Sequence, residues 1–111
     1  MEITKTSFKH CDLIKVKGRI DSATAPELSK VVDGIIKAGH YRLVIDLAEV
    51  DFVSSAGLRV LIGAQKECRR YNRGEVYLSS VGPKIHAAFD LAGFTLLFKI
   101  FKDALTAVGS F

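Results

Sequence analysis

The run Leu43-Val44-Ile45-Asp46-Leu47 constrains the fold more than any other part of the chain, because it is apolar on both faces apart from Asp46. A strand of that kind normally lies at the centre of a sheet covered by helices. A few residues later the pattern changes period. From about Ser55 to Tyr71, the residues Gly57, Val60, Leu61, Ala64, Cys68 and Tyr71 fall on one stripe at helical spacing, and Asn72-Arg73-Gly74 stops the helix. Between strand and helix, Asp46 and Asp51 flank a loop, Asp51 is placed to stabilise the nearby helix N-terminus, and Phe52-Val53-Ser54-Ser55 leads into the helix.

The rest of the chain is consistent with this centre. Ile3 to Phe8 and Leu13 to Ile20 read as two strands joined by a tight turn at His10-Cys11-Asp12, a hairpin. A helix begins near Thr24-Ala25-Pro26-Glu27. Thr24 with Glu27 fits a capping box, while Pro26 fits the first helical position, so two starts one residue apart remain open. Leu28, Val31, Val32, Ile35 and Ile36 form its apolar face, and Ala38-Gly39 ends it. Glu75 to Ser79 is a fourth strand. A third helix opens at Gly82-Pro83 with Ile85, Ala88, Phe89 and Ala92 on one side and Gly93 at its end. Leu96 to Phe101 is a last strand, and Asp103 caps a final helix carrying Ala104, Leu105 and Val108. The order β-β-α-β-α-β-α-β-α implies an α/β fold, a mixed sheet with packed helices, in one domain spanning residues 1–111.

Composition narrows the function classes. A chain of 111 residues, 49% hydrophobic and 25% charged, is an ordinary globular domain. No apolar run reaches the roughly 18 residues of a membrane helix, and Met1-Glu2-Ile3-Thr4-Lys5 lacks a signal-peptide core; a cytoplasmic protein without a membrane partner is expected. Cys11 and Cys68 form no CxxC pair, and His10, His40 and His86 are scattered, so no metal or cofactor is expected. The net charge is +4. Its densest basic stretch, Lys66, Arg69, Arg70 and Arg73, is interrupted by Glu67 and sits near a helix C-terminus, where cations complement the dipole. That is a solvated helix end, not a nucleic-acid stripe.

The strand-to-helix turn is the place for chemistry. Free N–H groups and a positive dipole end favour an anion there. Ser55 precedes Gly57 as in G-x-S-x-G, but Val53 replaces the first glycine, which leaves half a hydrolase elbow. Neither GxxxxGK[ST] nor GxGxxG occurs, so a nucleotide site is unsupported. No enzyme constellation survives. What remains is a serine at an exposed helix start. Ser55, Leu58, Arg59 and Ile62 share one side of that helix, where Leu58 and Ile62 either widen the core stripe or contact a partner.

These residues resemble the STAS domain family, and within it the bacterial anti-sigma factor antagonists. The resemblance rests on Val44-Ile45-Asp46-Leu47, Phe52, Ser54-Ser55-Ala56-Gly57-Leu58, Gly18-Arg19-Ile20-Asp21, Ala92-Gly93-Phe94 and Leu97-Phe98-Lys99-Ile100-Phe101, in the family's order. It implies a partner-switching protein. Ser55 would be phosphorylated by an anti-sigma factor that is also a serine kinase. The bare form would bind that partner and free the sigma factor, and a phosphatase acting on phospho-Ser55 would reset it. Asp21, Ser22, Ser54, Gly57, Leu58, Arg59 and Ile62 would line the docking surface. Ser55 would cap its helix when bare and carry the off signal when phosphorylated. Two positions depart from the family pattern: Ser54 stands where an Asp is usual, and Arg59 where a Gly is frequent. The alternative is a STAS subunit of a transporter or signalling complex that never carries phosphate.

Overall fold

A computed structural model describes residues 1–111. Its elements are β1 (Glu2–Ser7), β2 (Asp12–Ile20), α1 (Ala25–Lys37), β3 (Arg42–Val53), α2 (Ser55–Arg69), β4 (Glu75–Ser79), α3 (Pro83–Leu91), β5 (Lys99–Phe101) and α4 (Ala104–Val108). This is the order expected from the sequence. The five strands lie side by side in sequence order. β1 is antiparallel to β2, and the four strands β2 to β5 are parallel.

Parallel strands that step in one direction put successive right-handed crossovers on one face. Helices α1, α2 and α3 accordingly share the main core. Leu28, Val32 and Ile35 of α1, Leu61 and Ala64 of α2, and Phe89 of α3 pack with Ile14, Leu43, Ile45, Leu47 and Leu78 of the strands. Alternation sends Val44 to the other face, where Leu13, Tyr77 and Ala107 of α4 meet it. Phe111 stacks on the Tyr77 ring there, 4.0 Å between centroids. Asp46 points to this second face too. It is buried and accepts a 2.9 Å hydrogen bond from the Ser79 hydroxyl, which accounts for the one polar residue in an apolar strand.

Local signals and packing disagree at four places. The expected loop between Asp46 and Asp51 is strand: β3 runs on to Val53 because Lys17, Gly18, Arg19 and Ile20 of β2 pair with its outer half across two register shifts. Asp51 therefore lies within a strand and caps nothing. At the start of α1, Pro26 is the second helical residue. Thr24 holds the cap position without bonding the helix, so no capping box forms. Helix α2 stops at Arg69, and Tyr71 turns left-handed (φ 58°), which carries its ring out to 80% exposure instead of into the stripe. Finally, 94–96 is a 3-10 turn after left-handed Gly93 (φ 76°), so β5 begins only at Lys99 and Leu96 is exposed.

The late start of β5 leaves a gap in the sheet that Gln65 fills. Glu75 N–H donates to Tyr41, so the next residue, Val76, points its N–H and carbonyl toward the β5 side. β5 is not yet there. The Gln65 side-chain amide accepts from Val76 N–H (2.7 Å) and donates to the Val76 carbonyl (3.1 Å) and the Leu97 carbonyl (2.7 Å). A buried polar residue in α2 thus stands in for a missing strand residue.

Candidate functional site

β2 and β3 end together. Arg19 lies opposite Phe52 and Ile20 opposite Val53, and Ser54 N–H donates to the Ile20 carbonyl at 2.8 Å. The β2–α1 loop and the β3–α2 turn are therefore neighbours at the carboxyl edge of the sheet, where open α/β sheets carry their sites.

The two serines have different tasks. Ser54 is extended (φ −82°, ψ 173°), and its hydroxyl accepts from Gly57 N–H at 3.3 Å, so Ser54 is the cap of α2. Ser55 is the first helical residue, exposed, and its own backbone is already helical. The expectation that Ser55 caps the helix is corrected: only the extended residue before the helix can turn its oxygen back onto the first N–H groups. The Ser55 hydroxyl is left without a partner in the protein. The two departures from the family pattern thus fall on a working cap, Ser54, and on an exposed Arg59 that makes no ion pair.

Across from the serines, the β2–α1 loop is tied into a fixed shape. Asp21 accepts from the Ala23 and Thr24 N–H groups at 3.0 and 3.1 Å, while the Thr24 hydroxyl donates to the Arg19 carbonyl at 2.8 Å and accepts from Asp21 N–H at 2.9 Å. The Thr24 backbone N–H is the main reason that the Asp21 carboxyl titrates below its ordinary value. Ser22 is exposed at the tip of this loop.

Gly57 sets the separation of the two segments. A Cβ there would sit 2.6 Å from Ile20 Cγ2, 3.0 Å from Val53 Cγ1 and 3.2 Å from the Ile20 carbonyl. Gly57 is buried, so its expected place on the docking surface is corrected; it lets α2 sit against β2 and touches nothing outside. Leu58 and Ile62 stay half-buried and pack against the main core. Asp21, Ser22, Ser54 and Ser55 come together at the junction. Leu58 faces a neighbouring cleft, and Arg59 and Ile62 continue along α2.

That cleft, of about 280 Å³, lies between the end of β3 and α3 and is lined mainly by Phe52, Val53, Leu58, Ile85, Ala88 and Phe89. The Arg19 guanidinium covers the Phe52 ring at 4.3 Å on its rim, with Lys84 and Asp51 beside it. Its α3 wall was not visible in the sequence. Arg19 and Phe52 meet only once the register of β2 on β3 is known.

The remaining reactive side chains stand apart from this junction. Burial raises the Cys11 thiol, and pushes Cys68 up to about 11, which removes both from nucleophilic roles near neutral pH. His86 pairs with Asp90 on α3, and His40 with Asp12 at the far end of β2. No three His, Cys, Asp or Glu side chains converge as metal ligands. No helix is long and apolar enough to cross a membrane. Of the basic side chains near the end of α2, Arg69 pairs with Glu75, and Arg70 and Arg73 with Glu67, while Lys66 forms no ion pair.

Residues 3–107 match the family model described as the STAS domain, and the chain belongs to that family. Its curated relatives include anti-sigma factor antagonists. The anti-sigma-B factor antagonist of Listeria monocytogenes is 32% identical over 100 residues, covering 90% of this chain and 86% of that protein. An anti-sigma factor antagonist from Mycobacterium paratuberculosis superposes with a TM-score of 0.88 at 23% identity, over 98% of this chain and 92% of that one. The Bacillus antagonist SpoIIAA, solved in unphosphorylated and phosphorylated forms, gives TM-scores of 0.76 and 0.77 at 15% and 14% identity, over 98% of this chain and 96% and 98% of those chains. The solved structures bear on the fold alone.

Proposed function

We propose that this chain is an anti-sigma factor antagonist controlled by phosphorylation of Ser55. The bare protein binds an anti-sigma factor with serine kinase activity and so releases a sigma factor for transcription. Phosphate on Ser55 ends that complex, and a phosphatase restores it. The observation that carries this reading is the division of labour in the serine pair. Ser54 holds the helix, so the exposed Ser55 hydroxyl is free to accept a phosphoryl group without loss of the cap.

The energetics suit a switch. A phosphate adds about −1.5 to −2 charge at neutral pH. At the start of α2 it gains roughly 0.3–1 kcal/mol from the dipole, and Arg59, one turn on, is placed to pair with it. The free protein therefore tolerates it. Buried against a partner, the same charge is desolvated at a cost of several kcal/mol. Each ~1.4 kcal/mol is tenfold in affinity, so a hundredfold release needs no change of fold. Asp21, Ser22, Ser54, Leu58, Arg59 and Ile62 form the docking surface around Ser55, with the Phe52 cleft at its side.

Incubation with the cognate kinase and ATP should add one phosphate, and Ser55→Ala should abolish the mass shift. Mapping of the phosphate to Ser54 would sink the assignment. A pull-down that recovers transporter ATPase subunits and no kinase would favour instead a STAS subunit that never carries phosphate.

A further inference from the structure

The pole of the sheet opposite Ser55 carries a second cleft, of about 260 Å³, between the β1–β2 turn, the α1–β3 loop and the chain after α2. β2 runs from one pole to the other, and its nine residues set the two roughly 27 Å apart. The basic side chains of this cleft are Lys9, His10, His40, Arg42 and Arg73, and its one carboxylate is Asp12.

That one carboxylate offsets only part of the positive charge of Lys9, Arg42 and Arg73. Asp12 is buried, and His40 Nδ1 donates to it at 2.9 Å. The bond turns the other ring nitrogen of His40, which is half exposed, away from Asp12. Arg73 is held just as firmly. Its Nε donates to the Arg70 carbonyl and one terminal nitrogen to the Glu67 carbonyl, each at 3.0 Å, and its plane lies 4.0 Å over the Tyr41 ring. Glu67 approaches the same terminal nitrogen at 3.7 Å, which leaves Nη1 unengaged. Arg42 and Lys9 are exposed and form no ion pair. On the rim, Gly39 (φ 90°) has no atom near its would-be Cβ, so the backbone there is open to close approach.

We propose that this cleft is an anion-binding site, independent of the Ser55 junction, which takes a phosphate or a small phosphomonoester. Stacking on Tyr41 fixes the Arg73 guanidinium in advance, and Arg42 and Lys9 supply charge that no ion pair offsets. The Arg42 guanidinium, which makes no ion pair, presents the planar fork that matches phosphate oxygens in pairs. The volume admits a small dianion.

Titration of the full chain with inorganic phosphate, and separately with O-phosphoserine, at constant ionic strength tests this by amide chemical shifts. Saturable shifts at Gly39, His40, Arg42 and Arg73 are expected. Arg42→Gln should weaken binding roughly tenfold, the factor that about 1.4 kcal/mol represents. Lys30→Gln, the same charge change on an exposed position of α1, should leave it unaltered. Lys9→Gln carries the same expectation as Arg42→Gln should that variant fail to fold. Saturation with phosphate alone assigns the site to the free ion, and tighter binding of phosphoserine to the ester. Shifts that never saturate, that centre on Ser55, or that ignore both substitutions would overturn the proposal.

Discussion

Gly57 is the residue on which the junction depends most. In a helix a glycine usually costs about 0.5–1 kcal/mol relative to alanine, so Gly57→Ala should stabilise the protein if helix propensity decided the matter. The contacts decide otherwise, since the added methyl meets Ile20 and Val53 at 3.0 Å or less and a backbone carbonyl at 3.2 Å. Gly57→Ala is expected to destabilise by about 1–3 kcal/mol, read from urea unfolding. The serine pair gives a second comparison. Ser54→Ala removes the cap of α2 and should cost about 0.5–1 kcal/mol, toward the low end of capping effects because its bond is long at 3.3 Å. Ser55→Ala should leave the urea midpoint almost unchanged, since its hydroxyl holds nothing. Equal losses in both variants would contradict the separation of cap from free hydroxyl.

Among the elements, α2 is the one whose parts do the most different things. Its first turn carries the serines, and two turns further on Gln65 completes the sheet. Gln65→Leu keeps the volume but abandons one N–H and two carbonyls. Each unsatisfied buried group costs about 1–3 kcal/mol, so the three together should cost at least about 3 kcal/mol, with faster amide exchange at Val76. This role was illegible in the sequence, because the gap that Gln65 fills depends on where β5 starts. Elements set by local chemistry were legible. β4 runs from Glu75 to Ser79 as its pattern dictates, and Asp103 caps α4 with a 2.7 Å bond from Thr106 N–H. Elements set by distant partners were not. The segment between Asp46 and Asp51 reads as loop and becomes strand because β2 lies beside it. The same divide runs through the candidate site: the serine turn was written in consecutive residues, whereas the Phe52 cleft joins four elements.

For the whole molecule, acid response follows from two loop carboxylates. The backbone N–H groups of Thr24 and Thr106 hold Asp21 and Asp103 below the ordinary carboxylate value of 3.8. A folded-state value below the unfolded one means that the contribution is complete above the unfolded value. It is lost as pH falls through the folded one. Stability should therefore hold down to about pH 4 and then decline. Asp103→Asn should flatten part of that decline in thermal melts taken between pH 5 and pH 2. The sheet, however, does not resist disturbance evenly. β4 accompanies β3 only from Arg42 to Asp46, while β3 continues to Val53 with β2 alone along its other edge. The strand is thus a cantilever, anchored in the middle of the sheet and free on one side where it meets the serines. Amide protons of residues 49–53 should exchange with solvent well before those of 43–46. A partner or a phosphate at the tip can then bend the beam without loosening its mount.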